Sequence, residues 1–141
     1  MLELLENLVS ILTNDATLNA IVPVSNVFTG PVDFITESQA MLLFPQIQLS
    51  VVSEITRSVP TNTRDTLVQI SIFSRNSQLE VLNIYERILS LLEYSNTTID
   101  ATAVIFWQKV SSATDLYESD RRIWHRAVTV QAWSQKPFTS I

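Results

Sequence analysis

The residues able to do chemistry in this chain are few and poorly matched to one another. Asp115, Glu118 and Asp120 lie close together in sequence, and a carboxylate cluster can hold a hard cation. Their spacing is not that of a calcium loop, the glycine such a loop turns on is missing, and Arg121 and Arg122 follow directly. The segment reads as a solvated, charged loop. The single histidine, His125, has no second histidine with which to share a metal and no nucleophile motif around it. Absence of cysteine excludes disulfides, thiolate metal sites and a cysteine nucleophile, and a lone glycine, Gly30, excludes every glycine-rich phosphate loop. Phe106 and Trp107 beside Lys109 have the make-up of a base-stacking strand. A formal net charge of −5 opposes a grip on phosphates, so these aromatics read instead as core or interface. The expectation is a chain with no catalytic, cofactor-binding or metal-ligating residues, and not an enzyme.

The elements that must position these residues belong to one domain spanning 1–141. With 46% hydrophobic and 16% charged residues, a chain of this length can bury about two-thirds of its unfolded surface. Glu3 and Glu6 occupy the place of a signal peptide's basic residues, and the apolar run around them is too short to span a bilayer. No membrane association is expected. Leu5, Leu8, Val9 and Leu12 recur at the spacing of one helix face; Asn14 or Asp15 restarts a short helix carrying Leu18 and Ile21, and Pro23 ends it. Residues 23–40 read as a long loop with one extended piece around Val27 and Phe28.

Ile47, Leu49 and Val51 alternate with polar residues, as do Val68, Ile70 and Ile72, giving two strands joined through a loop or hairpin tip at 53–65. Ser77 and Glu80 form a capping box, in which each side chain serves the other's backbone N–H, and the helix it opens runs to about Tyr94. Asn96-Thr97-Thr98 reads as a turn, 103–110 as a third strand, 111–122 as a loop and 123–133 as a fourth strand. The tail from about 134 is expected to be mobile. The fold class is therefore α+β, in the order α-β-β-α-β-β: an antiparallel four-stranded sheet with two main helices packed on one face. Leu67 and Phe73 on the second strand, and Ile105 and Trp107 on the third, occupy an apolar parity that two helices cannot also cover. They are the candidate subunit interface.

Several stretches together resemble the tail-completion (tail-terminator) proteins of long-tailed bacteriophages. They are Leu12-Thr13-Asn14-Asp15-Ala16-Thr17-Leu18, Phe44-Pro45 before the first strand, the capped helix ending in Leu91-Leu92, Asp115-Leu116-Tyr117-Glu118, and Trp124-His125-Arg126-Ala127-Val128. The resemblance follows the order of elements along nearly the whole chain. It implies a structural protein of the virion, at the head-proximal end of the tail, assembled in the host cytoplasm. Such a protein forms a ring, typically a hexamer, that stops tail-tube polymerisation and joins the tail to the head neck. The implied partners are other copies of the chain, the tail-tube protein and a head-neck connector protein. DNA passes through the lumen without specific binding. Glu54, Arg57, Arg64, Asp65, Asp115, Glu118 and Asp120 are the candidates for lumen or docking loops. A head-side neck protein or a tube subunit is the alternative from the same setting; a small ligand-binding regulatory domain is the alternative from another class.

Overall fold

The computed structural model describes residues 2–30, 43–57, 63–92, 96–100, 103–109, 114–120 and 122–135. The chain opens with α1 (Leu2–Thr13) and the short α2 (Ala16–Asn19), followed by a 3-10 turn (Val24–Asn26) and β1 (Val27–Phe28). Next come β2 (Gln46–Arg57) and β3 (Thr63–Ser74), α3 (Gln78–Leu92), β4 (Asn96–Asp100), β5 (Ala103–Lys109), β6 (Thr114–Glu118) and β7 (Ile123–Gln135).

The fold is α+β, with a larger sheet than the sequence suggests. Seven strands run in the order β1-β2-β3-β7-β5-β4, with β6 also paired to β7. The β1–β2 pair is parallel, which makes the sheet mixed; every other pair is antiparallel. The expected turn at 96–98 is part of β4, and the expected loop at 111–122 contains β6. The expected loop at 53–65 is mostly ladder, paired from Ser53↔Leu67 to Arg57↔Thr63, with 58–62 outside the described residues. The cause is the length of β7. Its thirteen residues pair with β3 along one side, while β5 takes positions 130–135 of the other side and β6 takes positions 123–127. Polar segments become strands there because a neighbouring ladder satisfies their backbone groups.

Alternation decides which face is filled. Ile47 and Leu49 of β2, Val68, Ile70 and Ile72 of β3, and Val128, Val130 and Ala132 of β7 are buried on one face. Against them pack Leu8 and Leu12 of α1, Leu18 of α2, and Val81, Ile84, Ile88 and Leu92 of α3, spaced along one stripe of each helix. At the entry to α3, the Glu80 N–H donates to Ser77 Oγ at 3.1 Å, as a capping box requires. The Glu80 carboxylate does not complete the box. It accepts from Ser74 Oγ at 2.8 Å and from the Asn76 amide, while the Ser77 N–H reaches Ser74 Oγ at 3.4 Å. Ser74 is fully buried at the end of β3, and its hydroxyl donates to the glutamate while accepting from the Asn76 and Ser77 N–H groups.

Candidate functional site

Two carboxylate–guanidinium pairs tie the fold together, one within the helix layer and one between neighbouring strands. Asp15 caps α2 by accepting from the Leu18 N–H at 2.8 Å, and the same carboxylate takes two hydrogen bonds from Arg87 of α3. Asp115 of β6 takes two from Arg126 of β7, and Gln78 at the start of α3 donates to Asp115 Oδ2 at 2.8 Å. The Arg126 guanidinium lies 4.5 Å from the centre of the Tyr85 ring, a cation–π contact on the buried side of the sheet. Both carboxyls are held below the usual carboxylate range, chiefly by the hydrogen bonds from their arginines. Asp115 is thus a tie within the fold rather than part of a solvated loop.

On the face turned away from the helices the described side chains are mainly Gln, Ser and Thr, contributed by Gln46, Gln48, Ser50, Gln69, Ser71, Thr129 and Gln131. Leu67 and Phe73 interrupt them. Side-chain bonds run along the strands here, Gln48 to Gln46 at 2.6 Å and Gln69 to Ser71 at 3.3 Å. Phe73 and His125, ladder partners, stack with ring centres 4.2 Å apart and planes 12° from parallel. His125 Nε2 is buried without a hydrogen-bond partner. Burial pushes the imidazole below its ordinary value, and the Glu118 charge offsets part of that.

The register separates the residues singled out from the sequence. Leu67 pairs with Gln131 and Phe73 with His125, on the face turned away from the helices. Trp107 pairs with Ala132 and Ile105 with Ser134, at ladder positions of the opposite parity. The charged candidates fall into two groups. Glu54, Arg57, Arg64 and Asp65 belong to the β2–β3 ladder beside residues 132–135 of β7, whereas Asp115 and Glu118 lie beside residues 123–126, with Asp120 in the turn that follows. The nearest positions of the two groups, beside 126 and 132, are six residues of strand apart, about 20 Å. Each end of the sheet therefore carries its own set of charges.

Sequence reasoning missed the exposed apolar residues on strand edges. Leu116 and Tyr117 of β6 are 56% and 49% exposed, and Val52 of β2 is 56% exposed where a bulge between Val51 and Ser53 shifts the register. The only signal in sequence was two adjacent large apolar residues in each segment, which reads equally well as loop or core. Among the described residues no group of three or more His, Asp or Glu side chains is placed to hold a metal ion, and no helix is long and apolar enough to cross a membrane.

No curated protein matches the chain in sequence. Among solved structures, a chain from the virion of a native gene transfer agent particle is similar in fold, with a TM-score of 0.66 and 11% identity over 91% of each chain. The model of the family described as tail completion protein gp17 matches residues 6–135, from α1 through the end of β7. The chain belongs to the tail completion protein gp17 family, and is a structural protein of the phage tail.

Proposed function

We propose that the chain assembles into a ring, a hexamer, at the head-proximal end of the tail tube, where it stops tube polymerisation and joins the tail to the head neck. The observation that carries this reading is the family match over residues 6–135. The geometry fits it. A terminator must bind the last tube ring on one side and offer the next tube subunit nothing to bind on the other, which requires two unlike surfaces. The separated charge sets beside the two ends of β7 supply such surfaces. Its partners are further copies of itself, the tail-tube protein and a head-neck connector. Its role is mechanical, not catalytic. Six copies at a formal −5 each would let duplex DNA slide past without gripping its phosphates.

Electron microscopy of a lysate from phage lacking this gene tests the reading. Tails of uncontrolled length beside heads without tails are expected. Free tails of normal length beside heads that leak DNA would instead make the protein a head-side neck component.

A further inference from the structure

Both ends of the sheet finish in strands whose outer edges have no ladder partner among the described residues. Among the described residues, β1 pairs with β2 only at Ile47 and Gln48, leaving the edge from Leu49 to Arg57 without a ladder partner. Among the same residues, β6 pairs only with β7. Edges that must stay single are often guarded by lysine or proline. Neither β2 nor β6 contains either residue; β2 turns Val52 outward at its bulge, and β6 presents Leu116 and Tyr117 at successive positions, hence on both of its faces. The one acid in the middle of β6, Asp115, is drawn into its ion pair with Arg126, so the centre of that edge is apolar. β4 also ends the sheet, but has one apolar residue, Ile99, in five.

We infer that neighbouring copies of this chain join edge to edge, the open edge of β2 in one copy lying along the open edge of β6 in the next, with Val52 against Leu116 and Tyr117. This rests on the ring reading above and names the surface that closes the ring. A second copy is the occupant because each subunit supplies both halves of the contact, at opposite ends of one sheet. Unlike edges joined head to tail close into a ring, whereas like edges would give a two-fold dimer. The backbone hydrogen bonds of the added strand give affinity, and the apolar side chains on both faces give register.

The chain has no cysteine, so thiol cross-linking can be read without background. Val52 and Leu116 are exposed, and cysteine at either leaves the core untouched. The V52C/L116C double variant, treated with a short bis-maleimide, should give a ladder of covalent multimers ending at the ring. An equal mixture of the two single variants should give a covalent dimer, and each single variant alone should stay monomeric on a denaturing gel. Leu116→Lys should lower the assembled fraction about tenfold, a modest interface loss, with an unchanged thermal midpoint for the free subunit. Rings visible by negative-stain microscopy without these cross-links would overturn the edge contact while leaving the ring intact. Cross-linking of L116C to itself would replace it with a two-fold contact. No ring under any condition would remove both the contact and the ring.

Discussion

Asp15 and Arg87, separated by 72 positions in sequence, meet in a two-bond ion pair: Arg87 Nε donates to one carboxylate oxygen at 2.8 Å and Nη2 to the other at 2.6 Å. Because Asp15 is also the N-cap of α2, one side chain fixes both the start of that helix and its place against α3. Asp15→Ala should cost about 1–2 kcal/mol through loss of the cap alone, and Asp15→Asn less, since asparagine caps as well. Urea unfolding measures both; equal costs would mean that the pair, not the cap, dominates.

The same residue sets a pH dependence. Its folded carboxyl titrates below the ordinary value of 3.8, so the unfolded chain binds the proton more readily. The contribution is complete above that ordinary value and fades as pH falls through the lowered one. Asp115 behaves alike. Acid unfolding of Asp15→Asn should be shallower than that of the wild type between about pH 4 and pH 2.

Arg126→Ala should release β6. The substitution removes both hydrogen bonds to Asp115 and the contact with Tyr85, at about 1–3 kcal/mol for a partly buried charged partner. Hydrogen exchange at residues 115–118 should accelerate well before that of β3. Uniform acceleration across the sheet would show that β6 is not a separable unit.

His125 acts in the same direction as the carboxylates, losing stability as pH falls, but in a higher pH range. Burial lowers its folded value below 6.5, so the unfolded state binds more protons as pH drops through that region. Stability should therefore fall from pH 7 toward pH 5, and His125→Phe, which keeps a ring on Phe73, should flatten that part of the profile. A profile unchanged by the substitution would show that imidazole titration does not contribute.

Trp107 and Leu67 offer a contrast set by register. Trp107 stands opposite buried Ala132, and Leu67 opposite Gln131 on the face turned away from the helices. From its ladder position on the side of buried Ala132, Trp107→Ala is expected to lower the thermal midpoint of the free subunit, and Leu67→Ser to weaken assembly with a smaller change in midpoint. If Trp107→Ala instead spares the midpoint and blocks assembly, Trp107 is a subunit contact.

Patterns carried by a single strand or helix were legible in the sequence. Val128, Val130 and Ala132 alternate cleanly, and they form the core face of β7; Tyr85, Ile88 and Leu92, at helical spacing, lie in the buried stripe of α3, whereas Leu82 and Leu89 at the same spacing are only half-buried and Val81 and Ile84 complete the stripe instead. β4 and β6 were not legible, because Asn96-Thr97-Thr98 and Asp115 to Glu118 have the composition of turns and become strands only beside β5 and β7. The ion pairs were hidden for the same reason. Nothing in the order of residues joins Asp15 to Arg87, or tells that Asp115 will find Arg126 across a ladder rather than remain in solvent. Glu80 was half legible: its position after Ser77 was clear, but its partner, Ser74, lies at the end of the preceding strand.

The strand with the most ladder partners in this sheet, β7, is also the last of the described strands in sequence. β7 comes off the ribosome after β3, β5 and β6, yet each of those pairs with it. Until residues 123–135 emerge, the growing chain holds a hairpin and a helix with nothing to zip them to the later strands. Folding is thus completed after synthesis of nearly the whole chain, in one late step that joins distant segments, the slow kind of closure. A chain stopped before Ile123 would keep the β2–β3 and β4–β5 pairs but lack the strand that joins them to each other and to β6.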